Sequence, residues 1–307
     1  MKEDIQPLVT AVITTYKREP TIVRTALRSV VEQDYPNLEI IIVNDYPSDE
    51  DLVEKLRLMI SEFSNKRDIN YIVVDKNGGA CKARNMALYI AKGKYIAYLD
   101  DDDEWLNNKI SLQVEKAENN AQVAIIYCNA KINYVDLNKV SIRFNKEPLT
   151  GNIMSKMLSQ NYIGSCSFPM LVTKRIKEVG GFNEDMPALQ DWELYLRLIK
   201  KYGVSYVSEP CAIYNFYDGE RISAHPENRV TAFESIHKEF NSDIIADKKS
   251  ASSFYMMGTY FYSIAKNPKS AFYYYRLGFK NDPVNVKRNT KDFVRMITYV
   301  LFKPKKV

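Results

Sequence analysis

Along the first hundred residues, short runs of β-branched and aromatic side chains alternate with stretches whose apolar positions recur every three or four residues. Val9–Thr15 (VTAVITT), Glu39–Asn44 (EIIIVN) and Lys94–Leu99 (KYIAYL) read as buried strands, with a weaker one at Asn70–Val74 and another at Ile125–Asn129. Between the first two, Pro20–Gln33 places Ile22, Val23, Ala26, Leu27, Val30 and Val31 at helical spacing behind a proline suited to a helix start. Asp49–Phe63 repeats the pattern. A third helix, Ala80–Ala91, follows an Asn77-Gly78-Gly79 turn whose glycines permit backbone angles other residues avoid. Strands that alternate with helices in this way predict an α/β fold with a parallel sheet and crossover helices, and ligands of such sheets lie beyond the carboxyl ends of the strands. Further on, Val135–Leu149 is polar and predicts an irregular surface connection, and Ser205–Tyr214 predicts the last core strand.

From about Glu227 onward the pattern is helical and tyrosine-rich, which predicts a helical C-terminal appendage. Within it, Gly258, Tyr262, Ala271, Tyr275 and Pro283 fall near the positions of one tetratricopeptide-like helix pair, with a hairpin one residue short. A lone repeat cannot bury its own face, so the pair is expected to pack on the main domain. At the end of the chain Phe293, Ile297, Val300 and Leu301 fall roughly on one helical face, while Arg295, Lys303, Lys305 and Lys306 gather toward the terminus. That is the layout of an interfacial helix beside anionic lipid, or of a helix packed on its neighbours or on a second subunit of a homo-oligomer.

The length, 307 residues, suits one large α/β domain over 1–226 and a smaller helical region over 227–307. Apolar residues at 46% and charged residues at 26% exclude a disordered or fibrous chain. No apolar run is long enough to cross a bilayer, and Met1–Ile5 lacks the flank of a signal peptide, so a cytoplasmic location is expected, with peripheral contact to the cytoplasmic face of the membrane through the tail. Cys81, Cys128, Cys166 and Cys211 lie too far apart for a metal or redox motif and are read as reduced and buried. The net charge of +5 comes from the tail, where seven Lys or Arg from Lys287 onward face the single acid Asp292. Neither that balance nor any motif points to nucleic acid.

The chemistry concentrates where Tyr95-Ile96-Ala97-Tyr98-Leu99 runs into Asp100-Asp101-Asp102-Asp103-Glu104. Carboxylates this close in a low-dielectric crevice repel one another unless a cation neutralises them, and oxygen ligands of this kind suit magnesium or manganese. For Asp103 and Glu104 a solvated helix N-terminus is the competing reading.

With these residues in place, the chain resembles the inverting, bacterial-type glycosyltransferases of family 2, which have the GT-A fold, over about Leu8–Ser223. The resemblance implies a nucleotide-binding half over about 1–105, an acceptor-side half over about 106–226, and a metal-dependent hexosyl- or N-acetylhexosaminyltransferase of cell-envelope polysaccharide biosynthesis. In VITTYKR, Val12–Arg18, Thr14 and Tyr16 would line the base and ribose pocket. The family's acid pair after the second strand is here Asn44-Asp45, which leaves Asp45 alone to bond the base. Asn77 in the glycine turn and Arg84 on the helix behind it would face the diphosphate; a surface charge is the plain reading of Arg84. The Asp-x-Asp motif falls on Asp100-Asp101-Asp102, with Asp102 the metal ligand and Asp100 and Asp101 toward ribose or metal-bound water. Gln190-Asp191 stands where the family has Glu-Asp, which makes Asp191 the catalytic base; an N-cap is the structural alternative. Arg221 would close over the diphosphate and His225 would complete the Mn2+ or Mg2+ shell, a lone surface histidine being the alternative.

The reaction implied is a single displacement at an anomeric carbon of a nucleotide-sugar donor, UDP-sugars first, by a hydroxyl of a surface glycan, lipid-linked oligosaccharide or polyol-phosphate polymer. Two other readings compete with it. Sugar-phosphate nucleotidyl transfer typically begins with a glycine-rich phosphate loop, and Ile13–Arg18 has no glycine. A non-catalytic glycan- or protein-binding relative would have no use for Asp102 and Asp191.

Overall fold

In a computed structural model of the chain, the described residues are 6–144, 148–217 and 225–302. The elements in chain order are β1 (Val9–Thr15), α1 (Pro20–Val31), β2 (Leu38–Asn44), α2 (Glu50–Ser61), β3 (Ile69–Val73), α3 (Ala80–Ile90), β4 (Tyr95–Asp100), β5 (Glu104–Trp105), α4 (Lys109–Glu118), β6 (Val123–Tyr134), β7 (Lys139–Ile142), α5 (Met154–Ser159), β8 (Met170–Val172), α6 (Thr173–Glu178), α7 (Gln190–Ile199), β9 (Gly203–Phe216), α8 (Pro226–Ala246), α9 (Lys248–Ile264), α10 (Pro268–Asn281) and α11 (Val286–Leu301). They divide into two compact units, residues 1–153, 163–184 and 197–218 in one, and 154–162, 185–196 and 219–307 in the other.

The first unit is built on a sheet in the order β3-β2-β1-β4-β8-β6-β9-β5, with β7 paired to β6. β3, β2, β1 and β4 run parallel. β8 lies antiparallel between β4 and β6, and β9 pairs parallel with β6 and antiparallel with β5. β1 is apolar or threonine throughout because helices cover both faces of a parallel sheet; six of its seven residues are buried. On α1, Val23, Ala26, Leu27, Val30 and Val31 are the buried residues, each stabilising by roughly 1.5–3 kcal/mol relative to exposure for the larger side chains. Asp49 caps α2 by accepting from the Leu52 N–H at 3.0 Å.

Three sequence expectations change. The connection expected to be irregular over Val135–Leu149 contains β7, an exposed hairpin partner of β6 reached through Asn138 in a left-handed conformation (φ 44°, ψ 46°). Asparagine is among the few side chains that tolerate that turn. The strand expected at Ile125–Asn129 extends over Val123–Tyr134 because its second half pairs with β7 and β9. The expected boundary at 226/227 also differs from the contact division, since 154–162 and 185–196 join the C-terminal helices. The cause is local: the fully buried Trp192 of α7 lies against Phe254 of α9 (ring centroids 6.2 Å apart), donates to the Met157 carbonyl at 2.6 Å, and α5 packs on α9.

In the second unit α9 packs against α8, α10 and α11. Gly258 allows the closest approach, as a Cβ there would meet Phe233 at 2.6 Å. Phe233, Phe254, Phe261, Tyr274 and His237 form its aromatic centre. The α9–α10 pair, expected to rely on the main domain, is thus covered by helices of its own unit.

Candidate active site

The parallel register aligns the carboxyl ends of three strands: Thr14 of β1 lies opposite both Val43 of β2 and Asp100 of β4. Immediately beyond, Tyr16 is 48% exposed and meets Tyr46 edge-on at 5.3 Å. Lys17, itself left-handed at φ 51°, places its ammonium 5.2 and 4.9 Å from the two rings. Thr14 and Tyr16, read from the sequence as lining a base and ribose pocket, lie at and just beyond the end of β1, and Tyr46 joins them although its sequence position beside Asp45 assigned it no role.

Asp45 is buried and turned to the glycine loop. Its Oδ1 accepts from the Gly78 N–H at 2.9 Å, and its Oδ2 accepts from the Gly79 N–H at 2.7 Å and from Asn77 Nδ2 at 2.8 Å. Gly79 (φ 85°) then opens α3, a conformation that side-chain-bearing residues rarely adopt. In this arrangement Asp45 and Asn77 form one clamp that holds the loop.

The acids at the end of β4 are each engaged differently. Asp100 accepts from Arg84 at 2.9 Å and from the Ser165 hydroxyl at 3.0 Å. Asp101 and Asp102 share Arg18, whose Nε and Nη2 donate to them at 3.0 Å each. Asp103 is 1% exposed, accepts from Ser167 Oγ at 2.6 Å and from the Asn215 N–H of β9 at 3.0 Å. This overturns the solvated helix-terminus reading of Asp103 and Glu104: Asp103 is an internal brace, Glu104 pairs with β9, and the next helix starts only at Lys109. Arg84 is likewise no surface charge. Its side chain is 11% exposed, paired with Asp100 and laid over the Phe182 ring at 5.4 Å.

Burial, followed by the neighbouring Asp100 and Asp101 charges, pushes the Asp102 carboxyl up to about 6 against the opposing pull of Arg18. Burial and then Asp100 raise Asp103 well above the ordinary carboxylate range. The cluster is therefore short of positive charge even with Arg18 across it. Among the described residues no three His, Cys, Asp or Glu side chains are gathered to hold a metal ion. A hard cation that takes most of its shell from phosphate and water needs only one or two carboxylates, and the partly exposed Asp102, one oxygen bonded to Arg18, fits that description.

Beneath the acids lies a buried polar platform. Trp105 Nε1 donates to the Ser167 carbonyl at 2.9 Å, and Gln113 Nε2 donates to the Ile126 and Phe168 carbonyls at 2.6 and 2.9 Å. Lys109, fully buried, donates to Gln113 Oε1 at 2.6 Å and sits 4.3 Å over the Trp105 ring. Arg18 and this platform were not singled out from sequence; the one signal for Arg18 was its place as the last residue of VITTYKR.

The remaining assignments fall in the second unit. Asp191 is the second residue of α7, so the N-cap reading does not hold; its Oδ1 accepts from the Trp192 N–H at 2.8 Å and its Oδ2 from Asn161 Nδ2 at 3.0 Å. Leu189, just before the helix, is held at φ 58°, a strained conformation for a leucine. His225 is the exposed N-cap residue of α8 and its side chain makes no capping bond. Arg221 lies outside the described residues.

Comparison with known proteins bears on this geometry. The family model described as glycosyl transferase family 2 matches residues 10–180. WcaA of Escherichia coli (strain K12), named for colanic acid biosynthesis, is 32% identical over 251 residues, which span 79% of this chain and 85% of WcaA. WfgD of Escherichia coli, named UDP-Glc:alpha-D-GlcNAc-diphosphoundecaprenol beta-1,3-glucosyltransferase, is 27% identical over 66% of this chain and 73% of its own. Among solved structures, S. aureus TarS 1–349 in complex with UDP-GlcNAc superposes with a TM-score of 0.66 at 16% identity, covering 95% of this chain and 89% of that one, and the match spans 54% of a longer TarS structure. At that identity the likeness speaks to the fold.

Proposed function

Because the chain belongs to glycosyl transferase family 2 and is a glycosyltransferase of GT-A type fold, we propose that it moves a sugar from a nucleoside diphosphate donor, a UDP-sugar first of all, to a hydroxyl of a lipid-linked oligosaccharide, with inversion at the anomeric carbon. The observation that carries this reading is the acid cluster at the end of β4, next in register to Thr14 and bridged by Arg18. The donor and acceptor classes are supported by the names of WfgD and of the TarS complex.

In this reading the base lies against Tyr16 and Tyr46, aromatic faces that suit stacking, beside Thr14 and the loop held by Asp45 and Asn77. Asp102 would hold Mn2+ or Mg2+, with Asp100 and Asp101 toward ribose or bound water, and the ion would supply positive charge against the departing diphosphate. Arg84 fixes the direction of the Asp100 carboxylate through its 2.9 Å bond. Arg18 bridges Asp101 and Asp102 before the donor arrives and offers guanidinium N–H groups to phosphate oxygens afterwards. Arg221, by its match to the loop over the diphosphate, would add a second such group, and His225 would complete the metal shell. Asp191 takes the proton of the attacking hydroxyl; the bonds from Asn161 and the Trp192 N–H fix its carboxylate plane. The cytoplasmic face of the membrane is the corresponding location.

A panel of nucleotide sugars, assayed for hydrolysis and for transfer to a diphosphate-lipid acceptor with Mn2+, Mg2+ or chelator, tests the proposal. It expects one UDP-sugar to be turned over only with metal. Turnover indifferent to chelator, or uridylyl transfer from UTP onto a sugar phosphate with release of pyrophosphate, would overturn it.

A further inference from the structure

Within the second unit, α11 has one face against its neighbours and another that is largely exposed. Asn289 and Met296 are buried, and Arg288 donates to Ser252 Oγ of α9 at 2.6 Å. The helix end is tied by Lys266, whose ammonium donates to the Phe302 carbonyl at 2.7 Å. The other side carries Val286 (66% exposed), Phe293 (39%), Val294 (57%), Ile297 (40%) and Leu301 (66%). At about 100° per residue these five fall within an arc of about 100°. Phe293 continues the patch onto α10, with its ring 5.3 Å from that of Tyr275, which in turn lies 6.4 Å from Phe279.

Charge borders this stripe on one side only. Lys287 and Lys291, both exposed, follow it on the wheel at about 100° and about 140° from Val286, whereas the single acid of the helix, Asp292, lies at about 240°. The remaining basic residues of the helix are otherwise engaged: Arg295 lies 4.0 Å over the Tyr260 ring and Arg288 pairs with Asp282 at 3.3 Å. The sequence beyond the helix adds Lys303, Lys305 and Lys306 without an acid. An exposed apolar stripe edged by the exposed ammonium groups of Lys287 and Lys291 matches the boundary between acyl chains and anionic headgroups, which accepts the apolar side chains at shallow depth and the lysines at the phosphate level. A second copy of this chain would bring the same lysines toward one another, a repulsion the stripe does not compensate with acids.

We infer that the Val286–Leu301 face of α11 is a membrane-docking surface that holds the protein on anionic lipid. The helix crosses nothing: no described helix is long and apolar enough to span a membrane. A lipid-linked acceptor gives the docking a use, and that clause alone rests on the transferase reading.

The test is co-sedimentation of the full chain with vesicles of phosphatidylglycerol and phosphatidylcholine, and of phosphatidylcholine alone, at low and high salt. Binding is expected to need the anionic lipid and to weaken as salt rises. Ile297→Glu with Leu301→Glu should abolish it, and Lys287→Glu with Lys291→Glu should lower the partition coefficient by at least about thirtyfold, the effect of two surface-bound charges. If the first variant fails to fold by circular dichroism, the second, confined to exposed positions, carries the test. Equal binding to both vesicle types, variants that bind like the parent, or a sedimentation-velocity dimer that Ile297→Glu dissociates while vesicle binding is absent would overturn the inference. Donor hydrolysis in solution, measured on the same proteins, should be unchanged in both variants, which separates loss of docking from failure of the transferase reading.

Discussion

Lys109 gives the sharpest test of the platform beneath the acids. Its amine is fully buried, and burial draws its pKa down from 10.5 to about 8, with Cys128 and Cys211 opposing that shift. The folded value lies below the unfolded one, so between those two pH values the unfolded chain binds more protons than the folded chain and stability rises with pH. Near neutral pH the folded protein carries a buried ammonium whose compensation is Gln113 Oε1 and the Trp105 ring. Raising the pH from about 7 to about 10 should relieve roughly 2.5 kcal/mol of that cost, the difference between the two titration curves over the interval. Tyrosines and surface lysines also titrate there, so the measurement is a comparison: urea unfolding of the parent and of Lys109→Met at both pH values. The variant keeps the length of the side chain over Trp105 and loses the titration. The parent should therefore gain about 2–3 kcal/mol on the variant as pH rises. A difference that stays flat within about 0.5 kcal/mol would show that the amine is not titrating in the core and refute the reasoning.

Asp102→Asn should remove metal-dependent UDP binding by calorimetry and lower transfer at least about a hundredfold, because the amide is a poor ligand for a hard cation; near-normal activity that still requires metal would count against the assignment. Asp191→Asn should leave donor affinity unchanged and reduce kcat by about 10²–10⁴, since the amide retains the bond to Asn161 but accepts no proton; lost donor binding or lost folding would make it structural. In the second unit, burial opposes ionisation of Glu234, yet the His237 ring 3.9 Å away and the hydroxyls of Tyr262 and Tyr274, which donate to it, draw it down to about 2. Its contribution is present above the ordinary 4.5 and is lost as pH falls toward about 2, so Glu234→Gln should be less stable at neutral pH and lose less on acidification, read by thermal melts between those conditions.

The parts legible in the sequence were those in which local pattern and tertiary demand coincide. β1 was legible to the residue because a strand buried on both faces must be apolar throughout, and α1 because its five buried positions repeat at helical spacing. The site was legible as far as its anionic parts: five consecutive acids after a buried strand are costly enough to demand an explanation without any coordinates. What escaped was the positive side of the balance. Arg18 is 83 residues from Asp101 and 84 from Asp102, and only the parallel pairing of β1 with β4 brings them together. Beyond that strand Asp103 points inward to brace β9 through the Asn215 N–H, while its neighbour Asp102 stays partly exposed. β5 and β8, of two and three residues, carry no period from which a strand can be read. The division of the chain hid for a related reason: Trp192 reads as one more apolar position of α7, and only its packing on Phe254 shows which body the segment carrying Asp191 belongs to. Periodicity thus reports which face of an element is buried, whereas the partner that buries it or neutralises its charge is fixed by chain topology, and at this site the partner decides which acid remains available to a ligand.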